Sequence, residues 1–222
     1  MLYIVATPIG NLSDITIRAL ETLKQVDLIA CEDTRRTKKL TSHFDINTPL
    51  TSYYEHNKFS KGQYLLGLLQ EGKKIALVSD SGTPGISDPG FHLVKLALEN
   101  NIKVEPIPGA CALIAALSAS GIPANRFIFE GFLPIKPGAR KRILSKLSNI
   151  NKVIVLYESP FRLVRLLSEI KEVFGDTEVT VLREITKKFE EIKKDKASII
   201  LDYFSKVKVR GELVVIINAT EI

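Results

Sequence analysis

The sequence of this 222-residue chain predicts an α/β fold with two α/β domains. Apolar runs of strand length alternate with segments of helical periodicity along most of the chain. Several of the apolar runs are followed at once by loops rich in glycine, proline and hydroxyl side chains. This alternation is typical of βαβ units, so we expect a mainly parallel sheet in the N-terminal domain and a mixed sheet in the C-terminal domain.

The first half of the chain supplies most of the parallel pattern. Residues 3–7 form an apolar first strand, and residues 13–24 are predicted to be a helix capped by Ser13 or Asp14. Residues 75–78 are wholly apolar and read as a buried strand. The remaining predicted elements are strands at 26–31 and 103–107 and helices at 61–70, 91–99 and 110–119.

The second half of the chain begins after a Gly-Ile-Pro punctuation at residues 121–123. We therefore place a domain boundary near 115–123 and predict domains at 1–117 and 118–222. An aromatic-rich strand is expected at 126–132, followed by a Pro/Gly loop and a basic helix start at 140–142. The remaining predicted elements are strands at 153–157, 178–182 and 212–217 and helices at 161–174 and 197–204.

Composition limits the classes of protein that this chain can be. The net charge of +6, from 31 Lys and Arg against 25 Asp and Glu, suits a polyanionic partner, although a lysine-rich surface would give the same total. Cys31 and Cys111 lie far apart and form no C-x-x-C pair, which favours a reduced, cytoplasmic compartment. The three histidines lack the spacing of metal ligands, so we predict no metal site. The N-terminal residues read as a strand rather than a signal peptide, and no apolar run approaches the ~20 residues that span a bilayer.

The loop at residues 79–90 is the most informative segment. Three glycines and two prolines exclude a helix or a regular strand there. The loop directly follows the buried strand at 75–78, and open α/β sheets bind their ligands at the carboxyl ends of strands. We therefore expect this loop to hold a polar small molecule against exposed backbone.

Two familiar phosphate-binding motifs are absent from the sequence. No G-x-G-x-x-G follows the first strand, and no G-x-x-x-x-G-K-[ST] occurs anywhere in the chain. The G-x-S-x-G turn of α/β hydrolases is also missing. These absences argue against a Rossmann dinucleotide enzyme, a P-loop nucleotidase and a serine hydrolase of that fold.

Five loops follow predicted strands and share this polar character. Each has an ordinary structural explanation as a turn or a solvated ion-pair cluster, but together they surround one edge of a parallel sheet. The loops are residues 7–11, 31–37, 79–90, 106–111 and 157–162.

The loop sequences carry a resemblance to a known family. Ala6–Leu12, Glu32–Arg35, Ser79–Gly90, Pro108–Cys111 and Tyr157–Pro160, with Gly211-Glu212, resemble the tetrapyrrole-methylase-like S-adenosylmethionine-dependent methyltransferases. The resemblance extends from Leu2 to Ile217. Within that family, the match is to members that 2′-O-methylate a cytidine in the decoding region of 16S ribosomal RNA.

The resemblance implies S-adenosylmethionine as the cofactor, bound in a cleft between the two domains, and a homodimer. It also implies cofactor contacts along the loops. Glycines there would let the backbone approach the sulfonium, and turn N–H groups would meet the carboxylate. The implied cofactor-binding residues are Pro8, Ser81, Gly82, Thr83, Ile86, Gly109, Cys111, Ala112 and Tyr157.

A ribose 2′-hydroxyl is a weak nucleophile that gains from a nearby base. We hypothesise that a carboxylate of the pair Glu32 and Asp33, or Asp80, lies near this hydroxyl. Internal ion pairing would equally explain Glu32 and Asp33, and turn capping would explain Asp80.

Basic residues supply two candidate contacts with 16S ribosomal RNA, in which guanidinium forks suit phosphate oxygens. Arg35 and Arg36 form the first. Lys136, Arg140 and Arg142 form the second, for which a plain solvated helix start is the favoured explanation.

Two other functions stay open from the sequence. One is a methyltransferase of the same fold that acts on a tetrapyrrole or another small molecule; the tetrapyrrole group has Gly-Asp-Pro where this chain has Gly82-Thr83-Pro84. The other is a non-catalytic RNA-binding or ribosome-assembly module. Many relatives are also expected to continue past the Gly211-Glu212 strand into a helical C-terminal extension, whereas this sequence ends at Ile222.

Overall fold

The computed structural model describes residues 1–219. The chain divides into two compact units, Met1–Cys111 and Ala112–Ile222. The division falls at the start of a helix that the second unit contains. None of the helices within residues 1–219 is long and apolar enough to cross a membrane.

The first unit is built on a five-stranded sheet in which every pairing is parallel. The strands have the spatial order β3-β2-β4-β1-β5, so β4 lies between β2 and β1. Their bounds are β1 Leu2–Val5, β2 Leu28–Cys31, β3 Leu50–Ser52, β4 Ile75–Val78 and β5 Val104–Ile107.

Helices cover both faces of this sheet, which explains why its central strands are apolar on both sides. Ile29 and Cys31 of β2 face a cluster that contains Leu23, while Ala30 faces the opposite cluster with Leu65. The helices of this unit are α1 Ile17–Gln25, α2 Thr34–His43, α3 Lys58–Gln70 and α4 Gly90–Glu99.

The second unit contains a mixed five-stranded sheet with the order β6-β7-β10-β8-β9. Only β6 and β7 pair in parallel, and the other three pairings are antiparallel. The strands are β6 Phe127–Phe132, β7 Val153–Glu158, β8 Glu178–Arg183, β9 Glu191–Lys196 and β10 Leu213–Asn218. The helices are α5 Ala112–Ala119, α6 Pro137–Leu147, α7 Leu163–Phe174 and α8 Ala197–Lys206.

The predicted fold class is confirmed, with a parallel sheet in the first half and a mixed sheet in the second. Three elements were not predicted. Helix α2 carries a single aliphatic side chain, Leu40, so its apolar periodicity is weak. Strand β3 has only three residues, and β9 is an edge strand whose one apolar residue is Ile192. The predicted helix at 13–24 is divided into a 3₁₀ turn, Leu12–Asp14, and α1, which Thr16 caps.

Candidate functional site

The carboxyl ends of the parallel strands in the first unit bring four loops together. These loops follow β1, β2, β4 and β5, which are four consecutive strands of the sheet, whereas the fifth predicted loop, residues 157–162, follows β7 of the second sheet. This is the edge at which open α/β sheets bind ligands. The predicted loop at 79–90 lies here and contains no helix or ladder strand before α4 begins at Gly90.

The loops after β1 and β4 are joined by a pair of backbone hydrogen bonds. The Thr7 N–H donates to the Gly82 carbonyl at 2.9 Å, and the Gly82 N–H donates to the Thr7 carbonyl at 3.1 Å. The buried Thr7 hydroxyl also donates to the Ser79 carbonyl at 3.2 Å. The two loops therefore hold each other in one position.

Two glycines allow the loops to approach closely. Gly82 has φ +85°, and an added Cβ would lie 3.2 Å from Ile9 Cγ2. At Gly109 an added Cβ would lie 2.9 Å from the Cβ of Ala6, which is closer than real Cβ atoms come. The loop after β5 can thus pack on the loop after β1 only when residue 109 has no side chain.

Asp88 fixes the second half of the long loop and was not among the predicted site residues. Both of its carboxylate oxygens accept the Gly85 N–H, at 2.8 and 2.9 Å, and Oδ1 also accepts the Gly90 N–H at 2.7 Å. Gly85 has φ +88°, and the space where its Cβ would be is open. An aspartate that precedes Pro-Gly is a common turn residue, and that signal could have identified Asp88.

The three carboxylates that were predicted to be catalytic are brought together. Glu32 Oε1 accepts the Asp80 N–H at 3.0 Å, and Asp80 Oδ1 accepts the Asp33 N–H at 3.0 Å. We call this reciprocal arrangement the carboxylate latch. The latch ties the loop after β2 to the loop after β4. Turn capping and ion pairing, the two structural explanations given for these carboxylates, each account for part of the latch.

Asp33 is the member of the latch that caps a helix. Its Oδ1 caps α2 by accepting the Arg35 N–H at 2.8 Å, and its carboxylate receives the Arg35 guanidinium, with Nη2 2.8 Å from Oδ2. These hydrogen bonds hold the pKa of Asp33 well below its usual range. A carboxylate with a strongly lowered pKa is a poor proton acceptor.

Glu32 has the opposite character. Burial raises the pKa of its carboxyl group, and the neighbouring Asp88 and Asp80 carboxylates raise it further. The hydrogen bond from the Asp80 N–H and the charge of Arg36 lower the pKa, but the net shift is upward. A raised pKa makes the Glu32 carboxylate a better proton acceptor than the Asp33 carboxylate.

A shallow cavity opens beside the latch. Arg36 and Lys39 supply positive charge to it from α2, and the Asp80 carboxylate lies 3.3 Å from the Arg36 guanidinium. Its lining residues are Thr7, Pro8, Leu12, Arg36, Thr37, Lys39, Leu40, Ser79 and Asp80. Pro8 and Arg36, predicted from separate loops, therefore border one cavity, whereas Lys39 was not predicted because α2 itself was not recognised.

In the second unit, Tyr157 follows the four buried apolar residues of β7. Its hydroxyl accepts the Leu113 N–H at 3.1 Å, near the start of α5, and its ring makes edge contacts with Phe129 and Phe132. Ala112 is the first residue of α5. The predicted cofactor residues Ala112 and Tyr157 thus lie close together in space.

Arg140 requires a correction. It was predicted to contact RNA, but it is only 1% exposed, and its Nη2 donates to Glu169 Oε1 at 2.8 Å. Its Nη1 also donates to the carbonyls of Pro134 and Ile135. Arg140 therefore holds the loop before α6, because the helical period turns it inward while it leaves Arg142 exposed.

The residues at the loop edge fit an adenosyl cofactor chemically. Gly85 leaves bare backbone beside open space, and Ser81 and Ile86 are exposed on the same loop. Thr83 is fixed by donating its hydroxyl to the Ala110 carbonyl at 3.0 Å, so it packs against the turn that holds Gly109. In residues 1–219 no cluster of three or more His, Cys, Asp or Glu side chains could hold a metal ion.

Comparison with known proteins agrees with this geometry. The chain is 49% identical over 220 residues to the ribosomal RNA small subunit methyltransferase I of Thermotoga maritima, and the match covers 99% of both chains. It is 50% identical over 218 residues to the protein of the same name from Synechocystis sp., which covers 98% of this chain and 78% of that protein.

Solved structures show the same fold at lower identity. The crystal structure of uroporphyrin-III C-methyl transferase from Thermus thermophilus, complexed with S-adenyl homocysteine, matches with a TM-score of 0.69 and 18% identity. The match covers 97% of this chain and 96% of that one. At this identity the match shows a common fold, and the relatives at 49–50% identity define the chain as an α/β methyltransferase.

The family of Tetrapyrrole (Corrin/Porphyrin) Methylases matches residues 1–200. The chain belongs to this family, as the loop sequences predicted.

Proposed function

We propose that this chain is an S-adenosylmethionine-dependent methyltransferase that methylates the 2′-oxygen of a cytidine ribose in the decoding region of 16S ribosomal RNA. The observation that carries the proposal is the 49–50% identity, over 98–99% of the chain, to relatives named for the small-subunit ribosomal RNA. The 18% identity to a uroporphyrin methylase supports only a common fold. The excess positive charge is consistent with a polyanionic substrate.

The proposed cofactor site uses the loop residues at the carboxyl ends of β1, β4 and β5. When bound, S-adenosylmethionine supplies a methyl group that its sulfonium already activates. Backbone groups around Gly82, Gly85 and Gly109 would hold it, because side chains are absent where the loops approach each other. The other proposed contacts are Pro8, Ser81, Thr83, Ile86, Cys111, Ala112 and Tyr157.

Glu32 is the proposed general base. Its raised pKa suits removal of a proton from the weakly acidic ribose hydroxyl, and the Asp80 N–H holds its Oε1 in place. Asp33 and Asp80 are proposed as positioning residues, because backbone N–H groups and guanidinium groups already contact their carboxylate oxygens. This assignment narrows the three sequence-based candidates to one.

The cavity beside the latch is the proposed seat for the target nucleotide. Arg36 is 65% exposed on its side chain and lies next to Lys39, so both can meet a phosphate while the latch stays closed. Arg35 is also exposed, but its guanidinium is already paired with Asp33. Lys136 and Arg142 are exposed and stay proposed RNA contacts.

The assembled small ribosomal subunit is the proposed form of the substrate, and a homodimer is the proposed form of the enzyme. Both come from the family resemblance.

Transfer of a labelled methyl group tests the proposed function. Small ribosomal subunits from cells that lack this activity are incubated with the chain and labelled S-adenosylmethionine, with a reduced tetrapyrrole precursor as the competing acceptor. We expect label in the ribosomal RNA and none in the tetrapyrrole. Label in the tetrapyrrole alone would overturn the RNA substrate. Absence of cofactor binding in a calorimetric titration would instead support a non-catalytic module.

A further inference from the structure

One end of the second sheet gathers four loops. Strand register pairs Phe132 with Tyr157, Glu158 with Leu213, and Arg183 with both Leu213 and Glu191. The carboxyl ends of β6, β7 and β8 and the amino ends of β9 and β10 therefore share this end. We call it the loop end; its loops are residues 133–136, 159–162, 184–190 and 207–212.

Large apolar side chains are exposed at the loop end. Phe161 is 95% exposed and Phe189 is 66% exposed, although each lies within a few residues of a buried strand. Ile135 and Phe132 are 79% and 57% exposed. Burial of such side chains is normally favourable, so several exposed rings at one end of a sheet indicate an interaction surface.

The loop that carries Phe189 has a strained backbone. Glu184 has φ +54° and Thr186 has φ +68°. Residues other than glycine rarely adopt this region, and a β-branched residue such as Thr186 is a clear outlier there. Strain of this kind persists where the surrounding structure fixes it, and it is concentrated at binding sites.

Contacts with the neighbouring loop fix this conformation. The Glu184 N–H donates to the Glu212 carbonyl at 2.9 Å, and Lys187 Nζ donates to both Glu184 and Glu212 at 2.8 Å. Gly211 has φ +89°, and any Cβ there would overlap the Glu184 side chain. The loop is therefore a rigid support that presents its tip, Lys188 and Phe189, to solvent.

The charges at the loop end favour an anionic partner. Lys136, Lys188, Lys208 and Arg210 are exposed, and none of them makes an ion pair with another residue in the described part of the chain. The nearby acids are engaged within the loops. Glu184 and Glu212 hold Lys187, Glu190 accepts the Thr186 N–H at 2.6 Å, and Glu191 pairs with Arg183.

We propose that the loop end binds an unpaired stretch of RNA, with Phe161 and Phe189 stacking on bases and Lys188 and Arg210 contacting phosphates. This inference rests on the proposed function and extends it to an RNA-binding surface. Aromatic rings interleaved with cations are the usual means of binding single strands, because every base offers a face for stacking. Phe161 follows β7, and Phe189 follows β8. These strands are separated in the sheet by β10, so they lie two strand spacings apart, about 10 Å. Exposed cations beside these rings also suit RNA better than a dry contact with a second copy of this chain.

Binding of a fluorescein-labelled single-stranded RNA to the full chain tests the proposal. We expect Phe189→Ala to weaken binding about tenfold, in line with the loss of one stacked base. Phe189→Trp should keep the affinity. Phe59→Ala is the matched control, since Phe59 is also 66% exposed but lies on α3 of the first unit. Lys188→Ala with Arg210→Ala should flatten the dependence of log K on log salt by about 1.4 for two lost phosphate contacts.

Each outcome bears on the proposal separately from the proposed function. Unchanged RNA affinity in Phe189→Ala, with folding verified by calorimetric cofactor binding, would overturn the RNA surface even if the native chain methylates subunits. A shift from dimer to monomer in sedimentation, with RNA affinity retained, would also overturn it and assign the loop end to a second copy. If Phe189→Ala weakens RNA binding but the native chain does not methylate subunits, the result supports the RNA surface and rejects the proposed function.

Discussion

The Asp80 N–H donates to Glu32 Oε1 at 3.0 Å, across two loops that are 48 residues apart in sequence. This bond holds a carboxyl group whose pKa burial has raised, at the sheet edge where the loops after β1, β2, β4 and β5 meet. The arrangement distinguishes Glu32 from Asp33, which is adjacent in sequence but is held as a helix cap.

Glu32→Gln tests this distinction. The amide oxygen of glutamine can still accept the Asp80 N–H, so we expect the fold and the affinity for S-adenosylmethionine to be retained. The rate of methyl transfer at saturating subunit should fall about 10²–10⁴-fold, the usual contribution of a general base. Single-turnover transfer assays measure it, and a rate within twofold of the native chain would rule out Glu32 as the base.

The pH dependence of methyl transfer follows from the raised pKa of Glu32. The base must be ionised, so the rate should fall as the pH drops through a midpoint above the usual glutamate value of about 4.3. The pKa of Glu32 is higher in the folded state than in the unfolded state. Ionisation of Glu32 therefore destabilises the folded state fully above the folded-state pKa and not at all below the unfolded-state pKa. Urea unfolding at several pH values should therefore show Glu32→Gln gaining stability relative to the native chain as the pH rises. The opposite trend would mean that the carboxylate is stabilised by its surroundings.

Asp33 is expected to stabilise α2 rather than to take part in proton transfer. Asp33→Ala should lower the free energy of unfolding by about 0.5–2 kcal/mol through loss of the cap. Asp33→Asn should keep most of the stabilisation that the cap provides. Urea unfolding measures both variants. Methyl transfer by Asp33→Asn at saturating subunit should match the native rate; a large loss in a folded protein would return Asp33 to the list of candidate bases.

The buried ion pair of Arg140 and Glu169 is expected to matter for stability. Arg140→Met leaves the buried Glu169 carboxylate with one ion-pair partner within residues 1–219, the exposed Arg165 at 3.3 Å, so we expect a loss of about 3–5 kcal/mol in unfolding free energy. Arg140→Met combined with Glu169→Leu should recover much of it. Arg142→Met, two residues away and exposed, is the control and should change stability by less than about 0.5 kcal/mol. Equal effects of the two single variants would contradict the buried pair.

Gly109→Ala tests whether the loops proposed to bind the cofactor need close packing. The new Cβ would lie 2.9 Å from the Ala6 Cβ, so the loops after β1 and β5 must separate, and calorimetry should show at least tenfold weaker binding of S-adenosylmethionine. Gly67→Ala is the control, since nothing lies within 4 Å of its added Cβ. In helix α3 that change should stabilise the protein by about 0.5–1 kcal/mol and leave cofactor affinity unchanged. Equal affinities in both variants would show that the loops open without cost.

Most of the fold could be predicted because its strands are apolar and its loops are dense in glycine and proline. Strand β4 was predicted to the residue, since four consecutive aliphatic side chains are bounded by polar turns. Helix α2 and strand β9 were missed because both are polar and exposed on most of their surface, and their stability comes from tertiary contacts such as the Asp33 cap and the pairing with β8.

The sequence identified the three carboxylates but did not distinguish their surroundings. Glu32, Asp33 and Asp80 were grouped correctly, yet only the hydrogen bonds of the latch separate a buried carboxyl group from a helix cap. Arg140 was misassigned because the sequence alone does not say which side of α6 faces Glu169, 29 residues later. Lys39 was missed with its helix.

Mapping the position of the methyl group on the RNA is the decisive experiment for the proposed function. Labelled 16S ribosomal RNA is recovered from treated small subunits, digested, and examined for a phosphodiester bond that resists alkali. We expect label at one cytidine of the decoding region, with the bond on its 3′ side resistant because the 2′-oxygen is methylated. Label on a base, or on ribosomal RNA outside the decoding region, would contradict it.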